Sequence, residues 1–151
     1  MQRSFKTRTT TQSEIEEKWY LVDATGMRPG ALASRVAEIL LDKGNPKMRD
    51  YLMPQNRVVV INAAKLDIPE KKRFNKLYTK YSGYPGGLTT TTLGEMFDQR
   101  PERVVRLAVR RMLPKGRRGR AILPNLKIFE GAEHAHEAQK PEAVNIREIK
   151  F

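Results

Sequence analysis

The 151-residue chain contains no cysteine. That excludes disulfides, cysteine-ligated zinc and thiol catalysis, and it fits a reducing compartment. The chain also lacks any apolar run approaching the roughly 18–20 residues a membrane span needs, and no lipidation signal stands at either end, so no membrane partner is expected. A glycine-rich nucleotide fingerprint is missing as well. Gly26-Met27-Arg28-Pro29-Gly30 lacks the offsets that admit a pyrophosphate, and there is no Walker pattern. No cofactor and no small-molecule substrate are therefore expected. Acid is scarce too: 17 Asp and Glu stand against 29 Lys and Arg, giving net +12 and a pI near 10.2. Such an excess favours a polyanionic partner, nucleic acid before an anionic membrane. With 39% hydrophobic and 30% charged residues, the chain has material for one globular domain with a core.

The excess charge is concentrated. Residues 101–120 hold eight Lys or Arg and one acid, net +7 of the chain's +12. Pro101 suits the first turn of a helix, where its missing amide would have no partner. Apolar residues follow at Val104, Val105, Ala108, Val109 and Met112, one arc at helical spacing, while Arg103, Arg106 and Arg110 share the opposite side. Pro114 ends this helix, and Lys115, Arg117, Arg118 and Arg120 follow among glycines as a flexible basic loop. A merely solvated face normally intersperses the two signs, which this one does not. Arginine presents a planar donor fork that suits phosphate and stays ionised at any cellular pH, so the stripe reads as a phosphate-binding face.

Upstream, residues 18–24 read as a buried strand, and Pro29 opens a helix whose apolar side is Leu32, Ala33, Val36, Ala37, Ile39 and Leu40. Gly44 and Pro46 supply its stop. Residues 57–62 are the clearest strand. Four consecutive branched aliphatics suit a strand covered on both faces, hence a parallel sheet joined by a right-handed crossover. A second basic region follows with aromatics interleaved: Lys71, Lys72, Arg73, Lys76 and Lys80 among Tyr78, Tyr81 and Tyr84. The tyrosines either stack on bases or sugars or pack within the domain, and residues 83–87 form an irregular loop. Residues 89–92 cap a short helix over 93–97, and residues 126–129 form the last strand. His134 and His136, with Glu133 and Glu137 near, would need carboxylate co-ligands to hold a metal, and none is expected. The first thirteen residues, rich in Thr, Ser, Arg and Lys, read as a basic extension rather than a transit peptide. The expected division is a flexible extension over 1–17, one domain over 18–141 and a C-terminal extension over 142–151.

Several segments together resemble a known family: Trp19-Tyr20-Leu21-Val22-Asp23-Ala24, the run from Val58 to Ala63, and Tyr81-Ser82-Gly83-Tyr84-Pro85-Gly86-Gly87. Arg100-Pro101-Glu102-Arg103 and Met112-Leu113-Pro114-Lys115 with Gly119-Arg120 continue the series in order. Leu126 to Phe129, Gly131, Glu133-His134, His136 and Pro141 complete it. They resemble the bacterial form of large-subunit ribosomal protein thirteen, over about residues 18–141. The resemblance implies a three-layer α/β/α domain with a small, mainly parallel four-stranded sheet plus basic loops and extensions. It also implies binding to large-subunit rRNA on the cytoplasmic ribosome, contact with neighbouring large-subunit ribosomal proteins, and a part in early subunit assembly. The expected RNA contacts are Arg103, Arg106, Arg110, Arg111, Lys115, Arg117, Arg118, Arg120, Lys71, Lys72, Arg73, Lys76, Lys80, Tyr81, Tyr84, His134 and His136. The chain departs from the family at Pro29-Gly30-Ala31 (usually leucine-glycine-arginine), at residues 51–54, and at Ile68-Pro69, so contacts there do not carry over.

Two other readings compete. An enzyme acting on RNA would need a convergent acid/base or metal site, but Asp23, Asp67, Asp98, His134 and His136 have no recognised catalytic spacing. Asp23, before Thr25-Gly26, has the place of a turn residue. An adaptor would set the basic stretch against an acidic protein surface. No enzymatic activity is expected.

Overall fold

The computed structural model describes residues 9–146. The ends of both expected extensions, 1–8 and 147–151, lie outside the described residues. The aromatic and branched run near the start forms β1 (Trp19–Asp23). Pro29 then opens α1 (Pro29–Leu40), which buries all six of its expected apolar residues. The left-handed turn after α1 falls on Asp42 (φ 53°), not on the expected glycine. Side-chain amides of Asn45 and Asn56 donate to the Asp42 carboxylate at 2.9 and 3.0 Å, and such local bonding lets Asp adopt this conformation.

The valine run forms β2 (Arg57–Ile61), with Val58, Val59 and Val60 wholly buried. It pairs in parallel with β1, Tyr20 opposite Val58 and Val22 opposite Val60. Next come α2 (Glu70–Asn75), β3 (Leu77–Tyr81) and β4 (Leu88–Thr92), the last two an antiparallel hairpin. Gly83 and Gly86 take φ of 94° and 74° in its turn, a region glycine enters without steric cost. Thus the threonines expected only to cap a helix are first a strand. Thr92 alone caps α3 (Leu93–Gln99), in a reciprocal capping box with Glu95. Pro101 then starts α4 (Pro101–Met112), and a bend leads to α5 (Arg117–Ile122). β5 (Leu126–Ile128) is not the last strand: β6 (Glu142–Ala143) follows it.

The main sheet has the order β5-β2-β1-β6, every pair parallel. With helices around it, this is the expected three-layer α/β/α arrangement. Val22, Val58, Val60, Leu126 and Ile128 share one core cluster with α1 and with Val105 and Val109 of α4. Trp19, Leu21 and Val59 alternate onto the other face. There His136 packs on Trp19, ring centroids 5.3 Å apart. The sheet and core also reach past the expected limits of the domain. Ile15 and Ile146 are buried, and Gln12 exchanges two side-chain hydrogen bonds with the Met53 backbone, at 2.8 and 2.9 Å.

Candidate nucleic-acid interface

Helix α4 is fixed from behind. Val104, Val105 and Val109 are at most 1% exposed, so the helix cannot rotate without opening the core. Arg103, Arg106 and Arg110 therefore stay on the outside, all exposed. Among the described residues, none of the three sits in a salt bridge. Burying them unpaired would be prohibitive, so they are left to water or to an anion. A groove of about 560 Å³ runs beside Arg103 and Arg106 and is also lined by Arg100, Glu102 and Glu130. Arg100 carries no sequence signal for this role, because it precedes the helical repeat that marks the stripe.

Met112 is 43% exposed, although its spacing puts it on the apolar arc; the core has run out there, and Leu113 takes the buried place. Residues 117–122 form α5 rather than a flexible loop. Ile122 is fully buried and pins this helix, while Gly119 lets it lie against the backbone of Pro114. Arg117 and Arg120 are thus exposed on an anchored helix, with Lys115 exposed just before it. Arg118 turns inward: its side chain is 25% exposed, Nη1 lies 3.6 Å from Asp50, and buried Nε has no partner.

The second basic region divides between structural and free groups. Arg73 pairs with Asp98 and lies 6.0 Å from the Phe97 ring, so it ties α2 to α3. Tyr78 is 7% exposed and packs with Leu93, Met96 and Val104, which resolves its two readings in favour of packing. Tyr81 and Tyr84, by contrast, are 63% and 75% exposed, and Lys71, Lys72 and Lys80 are exposed with them. The fold brings the two basic stretches together at one ring. Lys76 Nζ lies 5.4 Å and the Arg111 guanidinium 5.3 Å from the Tyr78 centroid. Arg111 thereby leaves the stripe of Arg103, Arg106 and Arg110 and faces the hairpin.

His134 and His136 are half-buried. Their rings lie 6.2 and 5.9 Å from Phe129, and the His136 backbone N–H donates to His134 Nδ1 at 3.3 Å. Arg57 extends this cluster, 5.0 Å from the Trp19 ring and 2.8 Å from Glu17. Among the described residues, no group of three or more His, Asp or Glu is placed to hold a metal. Asp23 is a turn residue, its Oδ1 accepting from the Thr25 N–H at 3.0 Å, the Thr25 hydroxyl at 2.7 Å and Asn62 Nδ2 at 3.0 Å. Burial pushes its carboxyl up, but these bonds and the Lys65 charge outweigh burial and hold it below the usual range.

The family model described as Ribosomal protein L13 matches residues 17–135, taking in both basic stretches and the sheet through β5. The chain belongs to the ribosomal protein L13 family. Relatives named large ribosomal subunit protein uL13 align along nearly the whole chain. That of Thermotoga maritima is 44% identical over 149 residues, 97% of this chain and 100% of the relative. That of Aquifex aeolicus is 45% identical over 142 residues, 94% and 99% of the two chains. That of Listeria innocua is 42% identical over 134 residues, 89% and 92%. Family and relatives carry the names of ribosomal proteins, which sets aside the RNA-acting enzyme. Within the family match lie Arg103, Arg106 and Arg110, the hairpin tyrosines and His134; His136 and β6 fall just beyond it.

Proposed function

We propose that this member of the L13 family is a structural component of the large ribosomal subunit, binding large-subunit rRNA through the outer face of α4, α5 and the β3–β4 hairpin. The observation that carries this reading is the row Arg103, Arg106 and Arg110, exposed on a helix whose other face is locked into the core. The mechanism is electrostatic and geometric. Each phosphate neutralised by a guanidinium releases condensed counterions, while the rigid domain holds the cations at fixed separations. With about six such contacts, affinity falls by roughly 10³ between 50 and 200 mM salt. Tyr81 and Tyr84 add sequence-tolerant stacking on bases or sugars. A domain that fixes several RNA segments relative to one another suits a part in early subunit assembly, beside neighbouring ribosomal proteins.

Crosslinking of intact large subunits tests this reading. RNA adducts are expected on peptides from residues 101–120 and 77–88. Adducts only to protein at these peptides would redirect the basic face to an acidic protein surface.

A further inference from the structure

We infer that the cleft between the first turn of α1, α2 and α4 receives one unpaired nucleotide of the RNA, its base against apolar side chains and its phosphate on a cationic rim. This rests on the RNA-binding reading above and gives it a defined pocket. The cleft encloses about 360 Å³, within the roughly 300–1,000 Å³ typical of small-ligand sites. Ile68, Leu93, Val104 and Ala108 make its lining apolar, together with Tyr78. Arg28, Lys72, Lys76 and Arg111 also line it, cations drawn from three separate parts of the chain.

The charges are one-sided. Among the described residues no carboxylate lines the cleft, although Asp67 reaches the exposed Arg28 from outside at 3.9 Å. Apart from the Tyr78 hydroxyl, the lining side chains carry no oxygen. Cations around an apolar cavity, of which Lys72, Lys76 and Arg111 sit in no salt bridge among the described residues, fit a ligand that is flat and apolar at one end and anionic at the other. A nucleotide has that form. The Arg111 guanidinium, held beside the Tyr78 ring, offers a plane on which a base stacks. A paired duplex keeps its bases inside the helix, so the base must be unpaired to enter. Stacking with so few acceptors discriminates weakly among bases. An apolar peptide side chain would fill the cavity but leave Lys72, Lys76 and Arg111 uncompensated.

The test uses the full chain and two RNA duplexes of one sequence, one fully paired and one carrying a single bulged fluorescent purine. Gly30 lies in the lining and a Cβ there meets nothing within 4 Å, so Gly30→Trp, which sets a bulky ring at the opening, is the first variant. Met112→Glu, at an exposed lining position, is the second variant, and circular dichroism verifies that each is folded. The wild type is expected to bind the bulged duplex about tenfold more tightly than the paired one and to quench the purine. Both variants are expected to bring that ratio towards one and to lose the quench. Equal wild-type affinity for the two duplexes overturns the nucleotide site while leaving RNA binding intact. Equal affinity together with crosslinks from Lys76 to protein alone in intact large subunits assigns the cleft to a peptide instead. A tenfold ratio persisting in both folded variants also overturns the site. Failure to bind either duplex defeats the RNA-binding reading itself.

Discussion

Gly119→Ala should destabilise the protein, against the ordinary rule for helical glycines. In a helix, Ala is normally the better residue by about 0.5–1 kcal/mol, because glycine loses more backbone freedom on folding. Here a Cβ would stand 1.8 Å from the Pro114 carbonyl oxygen and 2.9 Å from its carbon. Those are backbone atoms and cannot rotate away, so α5 must move outward. Overpacking of this kind costs about 1–3 kcal/mol, and more where backbone has to give. The clash exceeds the gain, leaving a net loss of about 1–2 kcal/mol and a melting temperature lower by about 2–8 °C. Thermal melts followed by helical circular dichroism read this directly. Gly30→Ala is the internal control: its Cβ meets nothing within 4 Å, so it should be neutral or stabilising by up to about 1 kcal/mol. Displacing α5 also displaces Arg117 and Arg120, so Gly119→Ala should weaken RNA binding where Gly30→Ala does not weaken binding to a paired duplex. A Gly119→Ala protein melting at or above the wild type would refute the close packing of α5 on Pro114.

Two further predictions concern local bonds. Thr92→Ala removes the capping oxygen from α3 and should lower stability by about 1 kcal/mol, seen as a lower urea midpoint at unchanged slope; Thr92→Ser should restore most of it. Asp23 has a folded pKa below its unfolded value of about 3.9, so its stabilising contribution is present above that value and lost as pH falls through the folded one. Asp23→Asn should therefore melt below the wild type at neutral pH, with the gap narrowing as melts are taken progressively below the unfolded value. A gap that does not change with pH would contradict the assignment.

Much of the fold was legible because burial imposed a period. The arc Val104, Val105 and Val109 placed α4, the all-apolar run Val58 to Val60 placed the central strand, and Leu32 to Leu40 placed α1. The hairpin was hidden because its outward residues do not alternate in polarity: Leu77, Tyr81 and Leu88 are all more than half exposed, while Tyr78 is buried. Glycines at 116 and 119 made residues 115–120 read as a loose loop, yet Gly119 is what allows α5 to pack closely. Two residues of β6 are too few for any periodic signal. At the interface, the stripe Arg103, Arg106 and Arg110 was visible from spacing alone. The separate fates of Arg73, Arg111 and Arg118 were not, since each depends on a partner distant in sequence: Asp98, Tyr78 and Asp50 respectively.

If the exposed guanidiniums of α4 neutralise RNA phosphates, the triple variant Arg103→Gln/Arg106→Gln/Arg110→Gln must change the salt dependence of RNA binding. These side chains are exposed, so the melting temperature should stay close to that of the wild type. Each lost phosphate contact lowers the slope of log K against log salt by about 0.7–0.9, so the triple variant should bind large-subunit rRNA with a slope shallower by about 2–3. A folded variant with the wild-type slope and affinity would contradict the claim.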